Sequence, residues 1–147
     1  MILAQGGSFG GWSLYTVRGR VKFAYNVCAM ALAEVEADRP VPSGKHQVRM
    51  EFAYDGGGLA KGGTVSLFYD GEKVGEGRVE RTIPFIFSAD ETVKVGCDSG
   101  TPVAPDYEQR DGVFNGDIHW VQITTGSNEA DRLIEPEERV RIAMARQ

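Results

Sequence analysis

Short runs in which apolar and polar residues alternate, closed by glycine or turn residues, constrain this chain more than any other feature. His46, Val48, Met50, Phe52 and Tyr54 alternate with Gln47, Arg49, Glu51, Ala53 and Asp55. Successive side chains of a strand point to opposite faces, so a period of two marks a half-buried strand. Val21, Phe23, Tyr25 and Val27 alternate in the same way with Arg20, Lys22, Ala24 and Asn26. The run "GWSLYTV" precedes them across "RGR", which reads as a hairpin. "TVSLFYDGEKV" reads as strand, Asp70-Gly71 turn and strand. "ETVKVG" and "GVFNGDIHWVQITT" supply further short strands, and "RPVPSGK" and Cys97 to Gly112 are connections. The pattern predicts an all-β fold, an antiparallel β-sandwich closed as a jelly roll. It is expected to be one domain over 1–147, with residues 1–10 as a flexible lead.

Only the C-terminus changes period. "EADRLIEPEERVRIAMARQ" has no glycine, and Glu135 precedes Pro136, a residue suited to a first helical turn. Glu137 and Glu138 suit the positive end of a helix, and Arg141 and Arg146 the other. Val140, Ala143 and Met144 form a modest apolar stripe. A short helix is expected over Pro136 to Ala145, within a helical tail at 134–147 that docks on the body or on a partner.

The net charge is −5, with basic residues scattered among acids. This argues against a duplex nucleic-acid partner, which would need clustered cations to neutralise phosphates, and against an anionic membrane surface. No run approaches the ~20 apolar residues of a membrane span. "MILAQGGSFGG" lacks the basic and long apolar regions of a signal peptide. The compartment expected by default is the cytoplasm, or the periplasm if the chain belongs to an exported protein. Cys28 and Cys97 form neither a C-x-x-C pair nor a zinc site by themselves, and free, partly buried thiols are expected.

The stretch "DGGGLAKGG" invites a phosphate-loop reading. A Walker-type loop needs G-x-x-x-x-G-K-[ST], but here Lys61 follows Ala60 and precedes Gly62. In a G-x-G-x-x-G reading from Gly56, Lys61 occupies the third glycine position, and a strand rather than a helix comes next. No helix N-terminus is then available to hold an anion. The glycines are expected to supply unusual φ angles between antiparallel strands.

The run "MEFAYDGGGLAKGGTVSLFYDGEKVGEGRVERTIPFIFSADETVKVGCDSGTPVAPDY" resembles the C-terminal region of bacterial arylsulfatases. "GGWSLYTVRGRVKFAYN", "FNGDIHWVQI" and the closing "RLIEPEERVRIAMARQ" resemble it too, in the same order, so the resemblance covers about Gly10 to Gln147. It implies a sandwich of the concanavalin A-like or laminin-G-like type. It also implies that catalysis belongs to a separate upstream domain bearing a C-x-P-x-R or S-x-P-x-R segment, whose Cys or Ser becomes formylglycine. Neither segment occurs here, and the catalytic domain's Asp/Asn/His calcium constellation has no counterpart. The chain alone is therefore expected not to hydrolyse sulfate esters.

The remaining chemistry is sparse. Glu34, Glu36 and Asp38 would share one strand face, but their order does not match the usual glycosidase carboxylate patterns, and a charged, protected edge is expected. Asp117 and His119 share a face but are too few for a metal site, and an acidic residue is more usual at position 119 in the sulfatase-like pattern. His46 is expected to be a hydrogen-bonded structural histidine. No cofactor is expected; the alternative is calcium held by Asp90, Asp98 and Asp106 in the loop-rich section. Trp12, Tyr15, Tyr25 and Trp120 suit an aromatic sugar platform, although alternation places Trp12 and Trp120 more readily in the core. The expected ligand or partner surface comprises Trp12, Tyr15, Tyr25, Asp55, Lys61, Val140 and Met144. The leading expectation is a non-catalytic accessory module that packs on a sulfatase catalytic domain or on itself as a homo-oligomer. A carbohydrate-binding module is the alternative, and a small glycan-acting hydrolase the third.

Overall fold

A computed structural model describes residues 1–88, 91–107 and 112–125. Eight strands run in the order β1 (Leu3–Gly7), β2 (Gly10–Val17), β3 (Arg20–Val27), β4 (Ala31–Glu36), β5 (Val48–Tyr54), β6 (Gly63–Tyr69), β7 (Glu72–Val79) and β8 (Val93–Val95). They form two antiparallel sheets, a five-stranded one ordered β4-β3-β2-β1-β8 and a three-stranded one ordered β5-β6-β7. The described residues contain no helix. The helix expected over Pro136 to Ala145, with Val140 and Met144, lies outside the described residues.

The two-residue turns arise from backbone chemistry. Arg18-Gly19 and Asp70-Gly71 both take positive φ, the conformation that matches the right-handed twist of the flanking strands. The β5–β6 connection holds Gly56, Gly57 and Gly58 at φ of +73°, +74° and +117°, in a hairpin loop whose flanking strands pair in register from Val48 opposite Tyr69 to Tyr54 opposite Gly63. The glycine-rich stretch thus connects antiparallel strands, as its sequence context predicts.

Both sheets contribute to one core. Leu14, Phe23 and Val35 of the larger sheet join Val65, Leu67 and Val79 of the smaller one. Strands β4 and β7 approach closely: Asp38 N donates to Val74 O, and a Cβ on Gly77 would lie 2.6 Å from Val35 Cγ2. Glycine in β7 is therefore a packing requirement. Tyr69 adds a polar bridge, its buried hydroxyl accepting from Val21 N at 3.0 Å and donating to Arg39 O at 3.2 Å. The opposite face of the larger sheet is also covered: Met1, Ala4, Tyr15 and Ala24 pack with Ala104, and half-buried Tyr107 lies against them.

Three expectations need correction. Residues 1–10 are not a flexible lead. Residues 3–7 form β1, which pairs with β2 on one side and β8 on the other. "LAQGG" lacks the β-branched residues that announce a strand, so only its two ladders and its burial make it one. Residues 112–125 carry no strand, and Trp120, Val121 and Ile123 are exposed. An alternating run becomes a strand only where a neighbour satisfies its backbone, and no ladder forms there among the described residues. Finally, the half-buried strand expected from His46 to Asp55 spans only Val48–Tyr54, at a sheet edge, whereas β6 shows the strict alternation of buried and half-buried positions.

Candidate functional site

Four turn-bearing stretches, 1–17, 23–33, 56–60 and 82–88, contain no Asp, Glu, Lys or Arg. The fold brings the turns within these segments to one end. Asn26 Nδ2 donates to Ser8 O, tying the β1–β2 turn to the end of β3. Ile83 N donates to the Tyr25 hydroxyl, and Thr82 N to Lys61 O, which fastens the chain after β7 to the same end. Phe9, Met30, Leu59, Phe85 and Ile86 project from these turns and are between 59% and 81% exposed. Isolated exposed apolar residues are ordinary, but a group of them gathered at one end of the fold is a candidate interaction surface, bordered here by Glu91 at the β1–β2 turn and by Lys61.

Beside these tips a cavity of about 460 Å³ opens, lined by residues including Trp12, Tyr25, Phe52, Tyr54, Leu59 and Phe85. Its aromatic polar handles are engaged within the protein. Trp12 Nε1 donates to Gln5 Oε1 at 3.2 Å, and the Tyr54 hydroxyl donates to Gly58 O while accepting from Lys61 N. The Tyr25 hydroxyl accepts from Ile83 N. Burial raises the Tyr25 pKa above its ordinary value, with that amide bond working the other way. Such walls suit an apolar occupant better than a hydroxyl-rich one.

Asp55 and Lys61 sit at the rim of the glycine loop. Arg78 grips Asp55 through two bonds of 2.9 and 2.7 Å and holds its carboxyl below the ordinary value. Lys61 is exposed, and its backbone, rather than its ammonium, makes the contacts to Tyr54 and Thr82.

The aromatic residues do not form one platform. Trp12 stands opposite Tyr25 in the β2–β3 ladder, so the two share a face; Tyr15 faces the other way, edge-on to Tyr107. Trp120, placed in the core by its alternation, is instead 61% exposed. Asp117 and His119 are both exposed, outside any strand. His46 is a hydrogen-bonded surface histidine: its Nδ1 lies 2.6 Å from Asp70 Oδ2, and this contact leads in raising its pKa. Glu34 and Glu36 lie on the β4 edge, paired with Lys22 and Arg20 of the neighbouring strand. Both cysteines are free; Cys28 is half-buried and Cys97 exposed.

Two of the three calcium candidates have other partners. Asp98 is 1% exposed; its Oδ1 lies 3.1 Å from Lys94 Nζ, and its Oδ2 accepts from the Tyr107 hydroxyl at 3.0 Å. Burial, as the largest cause, pushes Tyr107 up to about 12. Asp106 accepts from Lys22 Nζ at 2.5 Å and from the Tyr15 hydroxyl at 2.8 Å. Asp90 lies outside the described residues. No group of three or more His, Cys, Asp or Glu converges among the described residues.

Asp106 makes a pH prediction. Lys22 first, and then Tyr15, hold its carboxyl below the ordinary value against partial burial. A depressed folded-state pKa contributes stability that is present above the unfolded pKa and lost as pH falls through the folded one. The melting temperature of the wild type should therefore fall more steeply below about pH 4 than that of Asp106→Asn. Parallel profiles would show that this latch contributes nothing.

The sequence reading missed Phe9, Met30, Leu59, Phe85 and Ile86. The signal that could have found them is the absence of charge in four separated turns. None of the family models, curated proteins or solved structures compared with the chain matches it.

Proposed function

We propose that this chain is a non-catalytic interaction module, similar in kind to the C-terminal region of bacterial arylsulfatases, which packs on a catalytic domain through the end that bears its exposed apolar tips. The observation that carries the reading is the gathering of five exposed apolar tips at an end built from four uncharged segments. Depletion of charge at the centre of a contact is typical of protein interfaces. Two antiparallel sheets sharing a core are compatible with the concanavalin A-like or laminin-G-like sandwich, closed as a jelly roll, that the resemblance implies. The partner chemistry is an apolar, uncharged surface of the neighbouring domain.

The engaged polar handles of Trp12 and Tyr54 favour this reading over a carbohydrate-binding module, since a sugar site needs free donors and acceptors. The module is read as using no cofactor, because Asp98 and Asp106 each have a lysine at ion-pair distance. The test is to mix the chain with an arylsulfatase catalytic domain lacking its own C-terminal region. Binding is measured by calorimetry, and hydrolysis of an aryl sulfate by the chain alone is assayed. Association is expected, weakened at least ~10-fold in the double variant Phe85→Asp/Ile86→Asp, with no hydrolysis by the isolated chain. No association, equal binding by the double variant, or sulfate release by the chain alone would overturn the reading.

A further inference from the structure

Among the described residues, strand β5 leaves an edge of the smaller sheet open. Gln47 O accepts from Asp70 N and Asp55 N donates to Gly62 O, so the odd-numbered residues turn their backbone groups toward β6. In an antiparallel ladder these roles alternate, so the N–H and C=O groups of Val48, Met50, Phe52 and Tyr54 point away from β6, toward the open side. Exposed edges of this kind invite pairing, and proteins usually blunt them with short strands, prolines, bulges or charge.

The other edges are guarded. β8 has three residues. β4 carries two acids, Glu34 and Glu36, that would repel a second copy, and it lies against β7. β7 is interrupted by a register shift opposite Leu67/Phe68. β5 has seven residues without proline or glycine, and its outward-facing charges cancel: Arg49 and Glu51 lie side by side, 2.5 Å apart.

We propose that β5 is a homodimer edge, pairing antiparallel with β5 of a second copy about a two-fold axis at Met50. The backbone roles require even-numbered residues to face even-numbered ones. An axis at Met50 places Arg49 opposite Glu51 of the other copy, twice, and Val48 opposite Phe52, also twice. An axis at Arg49 would oppose two arginines, and one at Glu51 two glutamates. Directly opposed like charges are unfavourable, so the two neighbouring registers are penalised relative to this one; an axis at Phe52 would leave Arg49 facing Asp55, but Arg78 already holds Asp55 through two bonds. The Arg49/Glu51 pairs fall at non-hydrogen-bonded positions, where side chains are closest. The product is a continuous six-stranded sheet with a self-complementary contact that closes on itself. This proposal uses the side of the smaller sheet rather than the end that bears the apolar tips, so it stands independently of the docking reading.

The test is the solution mass of the full chain by light scattering over a concentration series, under reducing conditions. The wild type is expected to show a concentration-dependent dimer. Arg49→Glu and Glu51→Arg, at exposed positions, should each weaken it at least ~10-fold, because each creates like-charge pairs at this register. The double variant Arg49→Glu/Glu51→Arg restores the complementary pattern and should recover dimerisation. A wild type that stays monomeric throughout the series overturns the proposal. So does a dimer indifferent to the single changes, or one that the double change fails to recover. A dimer lost only on Phe85→Asp/Ile86→Asp would also overturn it, and would assign self-association to the apolar end.

Discussion

Replacing Asp98 by alanine is expected to cost about 3 kcal/mol, the low end of the range for removing one partner of a buried ion pair. Asp98 is essentially buried, and both of its oxygens are used: Oδ1 by Lys94 and the Gly100 amide, Oδ2 by the Tyr107 hydroxyl. Without it, the Lys94 ammonium, whose side chain is largely covered, is left with Glu91 at 3.9 Å, and the Tyr107 hydroxyl with its bond from Val103 N. The local consequence should exceed the loss of two contacts. Residues 98–107 hold Ala104 and Tyr107 over Ala4, Tyr15 and Ala24, so releasing this segment wets the second face of the larger sheet. Urea unfolding with the Asp98→Asn variant alongside tests the idea. The asparagine keeps the shape and an acceptor, so it should lose less than the alanine. An Asp98→Ala midpoint within error of the wild type would show that the segment is held without Asp98, by its apolar contacts and the Asp106 latch.

The second large effect is expected at Leu67, in the middle strand of the smaller sheet. It is fully buried within the core that both sheets share. Leu67→Ala removes apolar burial and leaves a cavity between neighbours that collapse only partly, a loss of ~2–5 kcal/mol. Val93→Ala, on the exposed three-residue β8, should change stability by less than ~0.5 kcal/mol. The contrast separates burial from strand membership. Equal effects at the two positions would mean that Leu67 does not sit in a common core.

Several elements were legible because their signals are local. The Asp70-Gly71 turn, the β2–β3 hairpin and the β5–β6 connection each depend on residues that fix backbone angles or alternate on their own account. The structural role of His46 was legible too, since it begins a polar-flanked run and meets Asp70 across the hairpin. The failures are non-local. "LAQGG" becomes a strand because β2 and β8 flank it, and neither neighbour can be read from those five residues. "DIHWVQITT" has the alternation but no ladder among the described residues. Trp120 went with that run to the surface.

The candidate site divides in the same way. The sequence by itself determined the β character of the described residues, the hairpin turns, the place of the glycine loop between antiparallel strands and the four segments empty of charge. Alternation and turn chemistry act over a few residues, so they survive reading one residue at a time. Only the tertiary structure decided that those four segments meet at one end, that Asp98 and Asp106 serve lysines and tyrosines, and that β5 is an edge strand among the described residues. Each of these depends on which distant residue arrives opposite. That is set by strand order and by the burial shared between sheets, which no short window of sequence contains.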